Sequence, residues 1–174
     1  CGACHTPRSI TMQEKALTNE EGSDYLAGSS APIDGWTASN LRGDNRDGLG
    51  RWSEGDLRQF LRYGRNDQTA AFGGMTDVVE HSLQHLSESD ITATARYLKS
   101  LGAKDPHQAA FSVDDATAKA LWRGDDSQTG AATYVDSCAA CHKTDGSGYK
   151  RFYPALRGNP VVMADDPTSL IHIV

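Results

Sequence analysis

The four cysteines of this chain fall into two five-residue motifs with the same spacing. Cys1-Gly2-Ala3-Cys4-His5 opens the sequence, and Cys138-Ala139-Ala140-Cys141-His142 repeats the pattern. C-x-x-C-H is the attachment signature of c-type haem, because two thiols on one helical turn reach both vinyl groups and the next imidazole ligates the iron. The pattern therefore predicts two covalently bound haem c groups. The predicted attachment thiols and axial histidines are Cys1, Cys4, His5, Cys138, Cys141 and His142.

Other chemistries also use paired cysteines. A lone C-x-x-C occurs as a redox dithiol or as half of a zinc site. Neither of these needs a histidine directly after the second cysteine, and both copies carry one. All four cysteines lie inside the two motifs, so none remains for a structural disulfide. For the first copy one alternative stays open, a lipid-modified Cys1, which would block the thioether to haem.

The composition limits the range of partners and points to a cofactor-dependent core. Only 38% of the 174 residues are hydrophobic, with three Trp, four Phe and six Tyr, so a porphyrin buried in each domain would supply much of the missing apolar surface. The formal net charge of −6 argues against a nucleic-acid partner, which needs a basic face. No run of about 18 apolar residues is present, so the sequence predicts no membrane span within this chain.

Two complete haem motifs 137 positions apart favour two small cytochrome c-like domains in tandem. The periodicity predicts that the fold is all-α, with long irregular loops and few or no strands. The first domain is expected to cover residues 1–103 and to lack the helix that normally leads into the motif. Residues 104–128 form the expected linker, and residues 129–174 form a second domain truncated at its C-terminal end. Helices are predicted from the cap Ser53 to Gly64 and over 77–86, 87–101, 115–122 and 129–137, whereas 6–40 is expected to be irregular.

Candidate sixth ligands are methionines. Met75 follows two glycines and precedes the predicted helix 77–86, and its soft thioether suits haem iron, so Met75 is predicted to ligate the first haem. The alternative is that Met75 fills a gap in the core. Met163 is the only methionine in the second half of the chain. The sixth ligand of the second haem is expected beyond Val174.

Three further features carry weaker indications. An axial imidazole usually donates its second N–H to an acceptor, and the carbonyl of Pro154, twelve residues beyond His142, is the predicted acceptor. His81 and His85 have the i, i+4 spacing of a zinc or bis-histidine site, but without a nearby third ligand they are predicted to be surface residues. The loop at 40–52 departs from the EF-hand template and is predicted to be a tight turn. The arginines at 42, 46, 51, 58, 62 and 65 are expected on a solvated mixed face or, alternatively, one or two of them pair with haem propionates.

Several runs resemble a known family. Leu49-Gly50-Arg51-Trp52-Ser53, the stretch 72–79 and the stretch 97–101 are similar to the multihaem cytochrome c subunit of bacterial membrane-bound dehydrogenases. That family includes the quinoprotein alcohol dehydrogenases and the flavin-dependent gluconate, fructose and sorbitol dehydrogenases. The second half, with its haem motif and the stretch 153–159, resembles the middle haem domain of the same subunit.

The resemblance implies specific roles. Met75 matches the methionine ligand of the first haem, and the region of Trp52 borders its propionates. The subunit would accept electrons from a large catalytic subunit of the PQQ or FAD type and pass them to ubiquinone, on the periplasmic side of the cytoplasmic membrane. A third haem and a membrane anchor are expected in the full-length protein, so membrane association would come from that part or from the partner.

The function predicted from the sequence is therefore electron transfer, with no substrate turnover on this chain. One alternative is a free dihaem cytochrome that shuttles electrons without a fixed partner. A less favoured alternative is a dihaem peroxidase, which needs an iron with an open or displaceable sixth site.

Overall fold

The computed structural model describes residues 1–150 and 152–174, apart from the side chains of residues 32 and 33. The described part is mostly helical, with one two-stranded sheet. Its α-helices are α1 Gly2–His5, α2 Glu54–Tyr63, α3 Gly74–His81, α4 Glu88–Ser100, α5 Asp115–Trp122, α6 Ala131–Ser137, α7 Ala139–His142, α8 Pro160–Met163 and α9 Thr168–Ile173. Two 3-10 turns cover Asn19–Glu21 and Leu83–His85, and the strands are β1 Ser29–Ile33 and β2 Trp36–Ala38.

The hydrophobic core is centred on the contact between α2 and α4. Burying a Leu or Ile side chain contributes roughly 1.5–3 kcal/mol, so this contact is a principal source of stability. The buried residues are Leu57 and Leu61 on α2, Ile91, Ala95 and Leu98 on α4, and Leu26, Leu49, Trp52 and Leu101 around them.

Capping residues set the ends of α2 and the start of α4, as the sequence predicts. The amide of Asp56 donates to Ser53 Oγ at 3.0 Å, and the amide of Ser53 donates to Asp56 Oδ2 at 2.8 Å, which is a complete capping box. Gly64 ends α2 with a left-handed φ of 67°. Ser87 caps α4 by accepting from the amide of Asp90 at 3.2 Å.

Two helices begin at different residues from those predicted. α3 starts at Gly74 and ends at His81, so Met75 lies in its first turn and not in the loop before it. Because a 3-10 turn follows, His81 and His85 do not share one continuous helix. α6 starts at Ala131, since Gly130 takes a left-handed φ of 84° directly before it.

The hairpin β1–β2 lies in the region predicted to be irregular. Ile33 pairs with Trp36, and the two residues between them, Asp34 and Gly35, have φ values of 51° and 83°. Two successive positive φ angles are the requirement of the tightest hairpin turns, and Asp-Gly is a preferred pair for them. That dipeptide is the sequence signal for this hairpin.

The loop at 40–52 is held by buried charged groups. The Asp44 carboxylate is 2% exposed and accepts hydrogen bonds from Asn40 Nδ2 and from the amides of Lys104 and Asp105, at 2.8–2.9 Å. Burial by itself would raise the pKa of Asp44, but these hydrogen bonds outweigh it and the pKa lies below its usual value. Arg42 is also buried and not solvated as the sequence suggested, because Nη1 donates to Asn19 Oδ1 and to a backbone carbonyl.

The C-terminal segment packs onto the N-terminal one. Asn159 Nδ2 donates to Thr69 Oγ1 at 3.0 Å, and both residues are buried. Arg51 donates to the carbonyl of Gly158 and lies over the ring of Phe111, 4.6 Å from its centroid. None of the described helices has the length and apolarity that crossing a bilayer requires. The division into domains at residues 103 and 128 stays a prediction.

Candidate haem-binding sites

Each C-x-x-C-H motif forms a single helical turn. In α1 the amides of Cys4 and His5 donate to the carbonyl of Cys1, at 3.2 and 2.8 Å. In the second motif the amides of Cys141 and His142 donate to the carbonyl of Cys138, at 3.1 and 2.9 Å. All four cysteines, which lie in the described part of the chain, are free thiols. The backbone thus places each pair of cysteines and its histidine as covalent attachment to haem requires.

The hairpin region fixes the imidazole of His5. Its Nδ1 lies 2.7 Å from the carbonyl oxygen of Ser39, and because a carbonyl only accepts, the proton must be on Nδ1. This leaves Nε2 with the lone pair that a metal ligand needs. Burial lowers the pKa of His5, although the bond to Ser39 opposes this, and the neutral imidazole is favoured. The carbonyl of His5 accepts from the amide of Gly28 at 2.8 Å, so the same region holds the backbone as well.

The imidazole of His142 is held in the same manner. Its Nδ1 donates to the carbonyl of Pro154 at 2.9 Å, which is the contact that the sequence predicts. The carbonyl of His142 accepts from the amide of Gly148 at 3.0 Å. At the end of the turn, Tyr134 Oη donates to the carbonyl of Lys143 at 2.6 Å and ties α6 to the motif. Burial raises the pKa of Tyr134, which keeps this phenol protonated as a donor.

The two motifs therefore share a hydrogen-bonding frame that the spacing of cysteines does not reveal. In each, the imidazole Nδ1–H donates to a backbone carbonyl, and the histidine carbonyl accepts from a glycine amide. The two glycines, Gly28 and Gly148, have positive φ values of 83° and 63°. A Cβ on Gly148 would clash with the carbonyl oxygen of Tyr153 and lie 2.6 Å from that of Pro154, so only glycine fits there without displacing these two carbonyls. Because Ser39 acts through its backbone carbonyl, its residue type gives no signal and sequence reasoning missed it.

Two buried donors in the N-terminal half of the chain lack hydrogen-bond partners among the described residues. They are Trp52 Nε1 and Arg42 Nε, and both side chains are at least 95% buried. Leaving a buried donor unsatisfied costs about 1–3 kcal/mol, so an acceptor is expected at each. A carboxylate such as a haem propionate would satisfy both kinds of donor, and the guanidinium would also neutralise its charge. That the region of Trp52 borders a haem propionate stays a prediction.

The two candidate methionine ligands lie in short helices. Met75 is half-buried in the first turn of α3, directly after Gly73 and Gly74, and Gly73 adopts a φ of 53° against the indole ring of Trp36. Met163 is half-buried at the end of α8. Within the described residues, no three His, Cys, Asp or Glu side chains gather in a group that could hold a metal ion. Ligation by Met75 stays a prediction.

Comparison with known proteins finds the chain similar to cytochromes c. Residues 125–174 match the family model described as cytochrome C oxidase, cbb3-type, subunit III. The whole chain is similar, at 78% identity over 175 residues, to the gluconate 2-dehydrogenase cytochrome c subunit of Pantoea cypripedii, of which it spans 40%. It is 51% identical over 175 residues, again the whole chain, to the alcohol dehydrogenase (quinone) cytochrome c subunit of Gluconacetobacter polyoxogenes, of which it spans 37%. Over 188 aligned residues, or 98% of the chain, it is 36% identical to the fructose dehydrogenase cytochrome subunit of Gluconobacter japonicus, of which it spans 36%.

Proposed function

We propose that the chain holds two haem c groups and relays electrons. The proposal is supported by the similarity of the whole chain to the cytochrome c subunits of gluconate, alcohol and fructose dehydrogenases. The homologues are cytochrome subunits of dehydrogenase complexes, in which substrate is oxidised on a partner subunit. Kinship with cytochromes c implies covalently bound haem c. The number of haems and the route of the electrons are parts of the proposal.

The observation that carries the proposal is the frame shared by the two motifs. His5 and His142 each have Nδ1 bonded to a backbone carbonyl, at 2.7 and 2.9 Å, so each presents Nε2 in a fixed direction. An acceptor on the far nitrogen also makes an axial imidazole more basic and tunes the metal. Each copy of this arrangement lies beside two free thiols, and one such copy is what one haem c group requires.

When bound, haem supplies the one-electron redox chemistry of its iron, and the chain supplies attachment, orientation and electrostatics. Cys1 and Cys4 would hold the first haem, and His5 and Met75 would ligate its iron. Trp52 Nε1 would donate a hydrogen bond to its propionates. Cys138 and Cys141 would hold the second haem, and His142, whose Nδ1 donates to the carbonyl of Pro154, would ligate its iron.

The relay is proposed to begin at a large dehydrogenase subunit with a PQQ or FAD cofactor and to end at ubiquinone. It would operate on the periplasmic side of the cytoplasmic membrane, where c-type haem is attached. A third haem in the complete protein agrees with the fact that the chain spans about 40% of its gluconate dehydrogenase relative.

Haem stoichiometry tests the proposal. Purified protein is extracted with acid acetone and the retained haem is measured as the pyridine haemochrome. We expect two haems per chain for the unmodified sequence, one for the double variant Cys138→Ser with Cys141→Ser, and two for the control His85→Ala. Absence of covalently retained haem from the unmodified protein would overturn the proposal. Purification from the native membrane then separates a relay subunit, which emerges with a large dehydrogenase, from a free shuttle, which emerges alone.

A further inference from the structure

A buried serine near the end of the chain is bonded to the hairpin that holds His5. Ser169, on α9, is only 3% exposed. Its Oγ accepts from the amide of Thr37 at 3.0 Å, lies 2.8 Å from Thr37 Oγ1 and donates to the carbonyl of Thr37 at 3.2 Å. These contacts join residues 132 positions apart.

The contact with Ser169 satisfies backbone groups that a further strand would otherwise pair. Thr37 is the central residue of β2, whose one described strand partner is β1. The other edge of such a strand presents unpaired N–H and C=O groups, which are costly when buried without partners. Ser169 satisfies both groups of Thr37 with one hydroxyl. The position of β2 therefore depends on α9.

The strand β2 in turn adjoins the acceptor of His5 at one end and contacts the segment before Met75 at the other. Ser39, whose carbonyl accepts from His5 Nδ1, is the first residue after β2. At the start of β2, the ring of Trp36 lies 5.4 Å from that of Phe72, and a Cβ on Gly73 would meet its indole. Phe72 and Gly73 lead directly into the turn of α3 that carries Met75.

A second contact from α9 holds this tryptophan. The ring of His172 packs edge-on against Trp36, with 5.2 Å between centroids and an interplanar angle of 63°. A Cβ on Gly35 would lie 2.8 Å from His172 Cε1, so the hairpin turn needs glycine for the imidazole to approach. Trp36 is thus packed between His172 on one side and the segment before Met75 on the other.

We propose that Ser169 and His172 are positioning residues for the first haem, although they lie in the segment that carries the second haem motif. Ser169 fixes β2 and, through Ser39, the hydrogen bond to His5. His172 fixes Trp36 and, through Phe72 and Gly73, the approach of Met75. The inference rests on the proposed function, since it concerns the ligand environment of the first haem.

The substitutions Ser169→Ala and His172→Ala, in the complete protein, test this inference. Loosening the bond from His5 to Ser39 makes the imidazole less basic, so Ser169→Ala should shift the reduction potential of the first haem upward. Loosening the Met75 segment weakens methionine ligation, so His172→Ala should decrease the methionine-to-iron charge-transfer band and shift the same potential downward. Ile171→Ala is the matched control, because Ile171 lies on the same helix and is 68% exposed. It should leave both readouts at their wild-type values.

The two haems are distinguished by removing the attachment cysteines of one motif at a time. Each substitution is repeated in Cys138→Ala with Cys141→Ala, where we expect the effects to persist, and in Cys1→Ala with Cys4→Ala, where we expect none. Covalently bound haem is quantified in every variant. Unchanged spectra and potentials in variants that retain haem, or shifts confined to the second haem, would overturn the positioning roles and leave the proposed function intact. Absence of covalent haem from the wild type would instead overturn the proposed function.

Discussion

Replacing Gly148 by alanine tests whether the frame around His142 depends on glycine. The residue has a φ of 63°, and left-handed backbone costs a residue with a Cβ about 1 kcal/mol. The new Cβ would clash with the carbonyl oxygen of Tyr153 and lie 2.6 Å from that of Pro154, whereas ordinary contacts begin at 3.4 Å. Both carbonyls must therefore move, that of Pro154 by about 0.8 Å, which is enough to stretch its 2.9 Å hydrogen bond from His142 beyond the useful range.

The expected loss follows from these two effects. Strain of about 1 kcal/mol and the loss of one hydrogen bond worth about 1 kcal/mol together lower the free energy of unfolding by about 2 kcal/mol. Losing the acceptor also makes the imidazole a weaker donor to iron, so the reduction potential of the second haem should rise. Urea unfolding measures the first effect, and spectroelectrochemical titration measures the second.

Gly124→Ala is the matched control for this substitution. Gly124 also has a positive φ, of 81°, but the position that a Cβ would take there is open, with no atom beyond the neighbouring residues within 4 Å. The control should therefore lose about 1 kcal/mol through backbone strain and leave the potential of the second haem unchanged. If Gly148→Ala merely reproduced the Gly124→Ala result in both measurements, the idea that Gly148 makes room for the Pro154 carbonyl would be refuted.

Two further substitutions test the first half of the chain. Met75→Ala should abolish the methionine-to-iron charge-transfer band of the first haem and lower its potential, and an unchanged spectrum would show that another group ligates the iron. Asp44→Asn should lower the free energy of unfolding by about 2 kcal/mol at neutral pH, because a buried carboxylate with three donors is replaced by an amide. Since the pKa of Asp44 is lowered on folding, its contribution is present above its unfolded pKa and is lost as the pH falls through the folded one. The stability difference between the two proteins should accordingly shrink in acid, and a difference independent of pH would contradict the assignment.

The elements predicted most accurately are those whose signals are local. The helix capped by Ser53 and closed by Gly64 needs only a capping box, an apolar stripe and a left-handed glycine, all of which are visible in sequence. The helix Asp115–Trp122 has the bounds that the sequence predicts. The hairpin was missed because the composition of residues 6–40 suggests irregular structure and outweighs the short Asp34-Gly35 turn signal.

The sequence predicts only those residues of the site whose role depends on the type of side chain. The predicted attachment thiols and axial histidines follow from the motif, and Pro154 could be proposed from its distance along the chain. Ser39 could not, because its carbonyl is available on every residue and only the fold brings it within reach of His5. The burial of Arg42 was missed for a similar reason, since its partners, Asn19 Oδ1 and a backbone carbonyl, lie far away in sequence.

The hydrogen-bonding frames of His5 and His142 differ in the length of chain between the residues that they join. The bond from His142 to Pro154 closes a loop of twelve residues, so the second motif carries its acceptor within its own neighbourhood. The bond from His5 to Ser39 spans 34 residues and relies on a strand whose outer edge is satisfied by Ser169, a further 132 residues from Thr37. Loop closure costs entropy that grows with length, so the longer span needs more compensating contacts to hold its ends together. The geometry of His5 therefore depends on the folding of the C-terminal segment, whereas that of His142 is set locally.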